Sequence, residues 1–375
     1  MANYLLAGGG TGGHIYPGFA VAEAVRALDP AARIDFACTT RALDRPILKG
    51  WNGRILVQPI QPFAVRPMGF LKFTLGWWRT KFLVRRWLKE NKIVGVLGLG
   101  GFGSGAAVYA ASKLGLRTAF LNPDFVPGRA NAWLSEYSEK IFVQFAGTQQ
   151  YFHRPVEVVG VPLRSNICRL AGPDRADLRR QALTEFGLDP AKKTLVIMGG
   201  STGARSLNSA AVKALGELAD RMAGAWQVLH VTGSADYERV RAGETYHTLA
   251  GVTVKTAPYT DRMDLAWAMA DAAICRAGAI TLAELTAAQV PSVLLPYPYH
   301  RDNHQAKNAD VLVRAGAAVM VTDDKVAGPE TVGNLRDALA RILCDETVRS
   351  SMVQSAATLR RVDAAERVAR WLIGQ

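Results

Sequence analysis

Two short stretches constrain this chain more than any other, because each runs from an apolar strand through glycines into a helix. In the first, Tyr4 to Ala7 leads into Gly8-Gly9-Gly10-Thr11-Gly12-Gly13-His14-Ile15-Tyr16-Pro17; in the second, Thr194 to Met198 leads into Gly199-Gly200-Ser201-Thr202-Gly203-Ala204-Arg205 and a helix from Leu207. Each unit heads a series of alternating strands and helices. The pattern predicts an α/β chain of two doubly wound, Rossmann-like domains facing across a cleft, with substrates lying between them. At 375 residues the chain exceeds what one core supports, since single cores stop growing near about 250–300 residues. The domains are expected at residues 1–163 and 164–375, with the last helices packing back on the first domain.

The first loop carries five glycines in the six positions 8–13. Glycines let backbone amides approach a ligand closely, and a helix start behind them carries partial positive charge, so the loop is expected to hold an anion, most simply a phosphate. Gly8, Gly10 and Gly13 match the spacing of a dinucleotide fingerprint, with Asp35 further on. Two features oppose a nicotinamide dehydrogenase. Three residues intervene before Pro17, which suits a first helical position, so the turn is too long. Asp35 precedes Phe36-Ala37-Cys38 and so sits inside the second strand rather than at its end. His14, between loop and helix, is placed either as a polar loop residue or to meet a substrate hydroxyl; the second reading is preferred.

Further along, Ile93 to Ser112 is free of charge for twenty residues, a membrane-spanning length, but holds six glycines. Strand, glycine loop at 100–105 and small-residue helix fit better than a transmembrane helix. Thr118 to Leu121 forms the next strand, and Asn122 and Asp124 follow it, where open α/β sheets bind ligands. Val156 to Val159 completes the first sheet. In the second half, strands are expected at Trp226 to Val231, Val252 to Lys255, Ala272 to Cys275 and Ser292 to Leu295. After Cys275, the run Arg276-Ala277-Gly278 opens a helix with Thr281 and Glu284 on one face, where a carboxylate can accept bonds from a ribose diol or serve as a favourable first-turn charge.

Charge narrows the partners. Residues 1–163 carry 19 Lys and Arg against 9 Asp and Glu, while the remainder carries 26 against 23. The first half therefore meets the anionic partner. Between Arg66 and Lys92 stand eight basic residues and one acid, Glu90, among Phe70, Phe73, Trp77, Trp78, Phe82 and Trp87. Aromatics interleaved with cations point to an anionic membrane surface, in preference to a core helix with a solvated basic face. No nucleic-acid module is recognisable, so nucleic acid is not expected. The four cysteines, Cys38, Cys168, Cys275 and Cys344, lie far apart, without metal-ligand spacing. No structural zinc and a reducing compartment follow. Met1 leads almost directly into the first strand without a signal-like segment, so the protein is expected to stay in the cytoplasm.

Taken together these motifs resemble the MurG family of GT-B glycosyltransferases, over nearly the whole chain. The residues that carry the resemblance are Gly9 to His14 with Pro17, Gly199-Gly200-Ser201 with Gly203-Ala204-Arg205, Cys275 to Ala279 with Thr281 and Glu284, and Gln305 with Asn308. The resemblance implies an inverting transfer of N-acetylglucosamine from UDP-N-acetylglucosamine to undecaprenyl-diphospho-N-acetylmuramyl-pentapeptide, at the cytoplasmic face of the membrane, with no cofactor and no obligatory metal. The alternative is another UDP-sugar enzyme of that fold, a glycolipid transferase or an epimerase. It also implies Thr11, Gly12, Gly13 and His14 at the acceptor, Arg164 and Ser201 at the donor diphosphate, Ala279, Ile280, Thr281 and Glu284 around the nucleoside, and Gln305 and Asn308 near the sugar. Where the family usually reads His-Glu-Gln-Asn, this chain has Leu121-Asn122-Pro123-Asp124, and Phe102 replaces a common tyrosine. An amide cannot take a proton at neutral pH, so the general base lies between His14 and Asp124. His14 is the expected base, with Asp124 binding sugar hydroxyls or orienting the imidazole.

Overall fold

The strands that build this protein are short runs of Val, Ile, Leu and Ala with both faces covered, the pattern of parallel sheets flanked by helices. In the computed structural model, all residues are described except 1, 11, 43, 63–66, 201–202, 243–248, 250 and 300–301. Thr11 and Ser201 lie outside the described residues. The chain divides into two units, Met1–Arg164 with Val362–Gln375, and Ser165–Arg361.

In the first unit the strands are β1 (Asn3–Ala7), β2 (Arg33–Thr39), β3 (Ile55–Gln58), β4 (Ile93–Gly98), β5 (Arg117–Asn122), β6 (Lys140–Val143) and β7 (Glu157–Val158). They form one parallel sheet in the order β3-β2-β1-β4-β5-β6-β7. The strand order reverses between β1 and β4. In open α/β sheets the loops beyond the strand ends at such a reversal form the ligand site. Two glycine loops lie there: one joins β1 to helix α1 (Gly12–Leu28), the other follows β4. Further helices of this unit are α2 (Asp44–Leu48), α3 (Pro67–Glu90), α4 (Gly105–Ser112) and α5 (Arg129–Leu134). The uncharged run 93–112 is thus strand, loop and helix, and no helix among the described residues is long and apolar enough to cross a membrane.

One face of this sheet is covered by α1 and by the helix Ala364–Ile373, whose Ala364, Val368, Ala369 and Leu372 are buried with Val21, Val25 and Leu97. The other face packs Val84 and Leu88 of α3 with Val108 and Ala111 of α4.

The second unit holds β8 (Lys193–Met198), β9 (Trp226–Val231), β10 (Thr253–Ala257), β11 (Ala270–Cys275), β12 (Ser292–Leu294) and β13 (Ala318–Met320), parallel, in the order β10-β9-β8-β11-β12-β13. Its reversal falls between β8 and β11. The loop 199–204 follows β8, and Arg276 to Gly278 follow β11, so both expected donor motifs flank that point.

Candidate active site

The first glycine loop is held by the connection from β2 to α2. Gly9 and Gly10 have φ of 141° and 88°, values that favour glycine. The amide of Gly10 donates to both carboxylate oxygens of Asp44, at 2.8 and 3.0 Å. Asp44 Oδ2 also accepts from the amide of Thr39 at 2.9 Å and its hydroxyl at 2.6 Å. On the other side Arg41 donates to the Gly10 carbonyl at 3.1 Å, its guanidinium lying 5.1 Å from the Phe102 ring. A Cβ on Gly9 would collide with Asp44 Oδ2.

One expectation is narrowed here and one corrected. Of the loop read as a seat for an anion, the Gly10 amide is already committed to the protein's own buried Asp44 carboxylate. Pro17 was read as the first helical residue, whereas α1 begins at Gly12 and Pro17 lies inside it. The glycines can start the helix because its first turn needs no amide partners from within. Gly12, Gly13 and His14 therefore occupy that first turn.

His14 is half-buried, and its ring rests on the second glycine loop. Gly100 and Gly101 have φ of 100° and 72°, and a Cβ on Gly101 would stand 2.8 Å from His14 Cε1. His14 Nδ1 lies 3.1 Å from the Gly9 carbonyl oxygen. A carbonyl only accepts, so Nδ1 carries the proton and Nε2 the lone pair in the neutral ring. Burial draws the His14 pKa below its ordinary value. The Gly9 bond and the charges of Asp124 and Asp44 oppose that shift, and Arg41 adds to it. The ring is accordingly neutral at pH 7.

Asp124 reaches this neighbourhood through a turn built by Asn122. The Asn122 side chain is buried; its Nδ2 donates to the Asp124 carbonyl at 2.6 Å and its Oδ1 accepts from Asn131 Nδ2 at 3.0 Å. The amide that stands where relatives of the resembling family carry an acid is thus committed to shaping the loop. Asp35 is buried in β2 under Arg54 and Trp87, which fits the reading that denied it a ribose.

In the second unit, Gly278 caps the helix Ala279–Ala288, which places Ala279, Ile280 and Thr281 in its first turn. Glu284, one turn on, is buried, and Trp267 Nε1 donates to its Oε2 at 2.9 Å. Burial and then the charge of Glu284 push the Cys275 thiol upward, leaving it a protonated, buried thiol. Gln305 Oε1 accepts from the amides of Ala277 and Tyr297 at 3.2 and 2.9 Å, and Asn308 Nδ2 donates to the Ala277 carbonyl at 3.3 Å. These two amides tie the helix that bears them to the loop after β11.

Arg276 donates to Asp323 at 2.6 Å and to Ser206 Oγ at 2.9 Å, and Ser206 donates to Asp323 at 2.6 Å. The network joins the helix after the 199–204 loop to the loop after β11. Arg164 is the last residue of the first unit's main segment, its guanidinium 4.8 Å from the centroid of the Tyr16 ring of α1. Among the described residues no cluster of His, Cys, Asp and Glu could hold a metal ion.

Sequence reasoning missed Asp44, Arg41, Trp267 and Asp323. Only a carboxylate soon after β2 hinted at Asp44, and an acid there is ordinarily a solvated loop residue.

The two units also match known domains. Models of the glycosyltransferase family 28 N-terminal and C-terminal domains match residues 4–143 and 194–368. This pairing defines a two-domain glycosyltransferase. The chain is 35% identical over 367 residues to the UDP-N-acetylglucosamine--N-acetylmuramyl-(pentapeptide) pyrophosphoryl-undecaprenol N-acetylglucosamine transferase of Lactiplantibacillus plantarum, covering 97% of each. It is 37% identical to the enzyme of that name from Clavibacter michiganensis, covering 98% of this chain and 95% of the other. The crystal structure of Acinetobacter baumannii MurG superposes with a TM-score of 0.78 at 26% identity, covering 100% of this chain and 99% of that one. The chain belongs to glycosyltransferase family 28, in its MurG group.

Proposed function

We propose that this protein transfers N-acetylglucosamine from UDP-N-acetylglucosamine to undecaprenyl-diphospho-N-acetylmuramyl-pentapeptide with inversion, working as a peripheral protein at the cytoplasmic face of the membrane. The observation that carries the chemistry is the tautomer of His14: Nδ1 donates to Gly9, so Nε2 is a base. In the proposed step Nε2 takes the proton of the acceptor hydroxyl as that oxygen bonds to the anomeric carbon and the bond to UDP breaks. Residues 1–163 supply the acceptor and membrane side, with the terminal helix packed on them, and the segment from 164 up to that returning helix supplies the donor side. Thr11, Gly12 and Gly13 lie with the acceptor. Arg164 and Ser201 meet the donor diphosphate, Ala279, Ile280, Thr281 and Glu284 the nucleoside, and Gln305 and Asn308 the sugar.

The test is a transfer assay with UDP-N-acetylglucosamine and a polyprenyl-diphospho-N-acetylmuramyl-peptide, read by UDP release and by the β linkage of the product. Glu284→Ala weakens UDP by roughly 1–3 kcal/mol, because ribose hydroxyls lose a buried acceptor. Titration calorimetry checks this. Epimerisation of the donor without transfer to acceptor would overturn the assignment.

The membrane reading rests on α3. Met68, Trp78 and Phe82 are exposed by 68%, 54% and 64%, and Lys81 lies 4.7 Å from the Trp78 ring. Trp77, its neighbour in sequence, faces inward against Tyr109 and Trp133. Adjacent helical residues diverge by about 100° around the axis, so the two tryptophans cannot share a membrane face. The paired tryptophans read from the sequence are therefore one membrane residue and one wall residue. Trp78→Ser with Phe82→Ser should reduce co-sedimentation with anionic liposomes, and high salt should reduce it in the wild type. Equal sedimentation with zwitterionic vesicles would remove the electrostatic contribution.

A further inference from the structure

The inward face of α3 lines a cavity of about 590 Å³, within the size range of small-molecule sites. Its walls are aromatic. Trp133 stands 5.3 Å from Trp77, 5.7 Å from Tyr109 and 4.7 Å from Tyr137, centroid to centroid. Phe102 and Gly105 also contribute to the lining. Phe102 directly follows Gly101, which stands against the His14 ring, so one glycine loop serves both the cavity wall and the proposed base. Cations stand over or within the walls: Lys81 and Lys113 lie 5.1 and 5.7 Å from the Tyr109 ring, and Arg129 contributes to the lining.

We infer that this groove holds the first isoprene units of the acceptor's polyprenyl chain, next to its diphosphate. The inference rests on the transferase reading above. Three observations select that occupant. The walls offer flat aromatic faces to a branched, unsaturated hydrocarbon, and among the described residues they carry no acid. The cations suit a diphosphate lying between the hydrocarbon and the reacting sugar. The outer face of the same helix presents Trp78 and Phe82, so a chain whose far end stays in the bilayer is delivered along α3 toward His14. A freely water-soluble acceptor would need none of these features.

The experiment uses the full chain and acceptors that share one head group but carry one, two or four isoprene units. In the wild type the KM falls as the chain lengthens, by about tenfold between the shortest and longest, as expected for burying several methylene equivalents. Ala130→Phe fills the groove with an apolar ring, and Trp133→Ala removes a wall. In both, the ratio of short-chain to long-chain KM collapses toward one, while kcat with the one-isoprene acceptor and the melting midpoint of the first unit, which holds both residues, confirm folding. Retention of the wild-type ratio in both folded variants overturns the inference. Farnesyl diphosphate provides a test independent of turnover: it quenches tryptophan fluorescence in the wild type and not in Ala130→Phe. If no acceptor is glycosylated but farnesyl diphosphate still quenches, the transferase reading fails and the groove stands as a polyprenyl site. Quenching by phospholipid monomers alone overturns the polyprenyl assignment in favour of an acyl chain.

Discussion

His14→Ala lowers turnover by roughly 10²- to 10⁴-fold and leaves UDP affinity nearly unchanged, because a general base acts in the transition state and the proposed nucleotide residues belong to the other unit. The pH profile gives the sharper reading. His14 must be neutral to accept a proton, and burial sets its pKa below the ordinary 6.5. The acid limb of kcat/KM therefore lies below that value, with activity rising as pH climbs through the lowered pKa and staying level above it. Asp124 stabilises the protonated ring, so Asp124→Asn moves the acid limb to still lower pH and costs less than His14→Ala. Loss of all turnover in Asp124→Asn, with most retained in His14→Ala, assigns the base to the carboxylate.

Asp44→Ala has the largest expected effect on stability. The carboxylate is fully buried and satisfies three donors, the amides of Gly10 and Thr39 and the Thr39 hydroxyl. Deleting it strands all three, at about 1–3 kcal/mol for each buried group without a partner. Because one loop relaxation can satisfy more than one of them, the net loss is roughly 3–5 kcal/mol. That lowers the melting midpoint of the first unit by on the order of 10 °C. Asp44→Asn keeps the shape but turns a donor toward donors, and recovers only part of the loss. Scanning calorimetry checks both. Turnover falls as well, since the Gly9 carbonyl that orients His14 belongs to this loop. A melting point within about a degree of wild type for Asp44→Ala would show that the clamp contributes little.

Much of this arrangement is legible in the sequence where the local pattern and the global fold agree. The strand–glycine–helix units after β1 and β8 and the strand ending at Cys275 follow from apolar runs that end in glycine. Strands of three or four residues, Ile55–Gln58, Lys140–Val143 and Ala318–Met320, escape such a reading. They are too short to show a period, and Gln58 is buried by a bond from its side chain to the Gly103 carbonyl. Pro17 misled because proline marks a helix start only when tertiary contacts do not extend the helix backwards. Here the Asp44 clamp fixes Gly10 and lets α1 begin at Gly12. Asp44, Trp267 and Asp323 act through partners remote in sequence, and no local spacing announces such pairs.

The helix Ala364–Ile373 belongs to the first unit, although the whole of the second unit, residues 165–361, precedes it in the chain. On a ribosome, the hydrophobic stripe of α1 is therefore synthesised long before its covering helix. At about 5–20 residues per second, the intervening segment delays that helix by roughly 10–40 s. During that interval the second unit can fold as a continuous segment, while the first keeps an apolar flank uncovered. The unit begun first is thus completed last, and the packing of α1, which bears His14, depends on residues translated after the whole of the second unit.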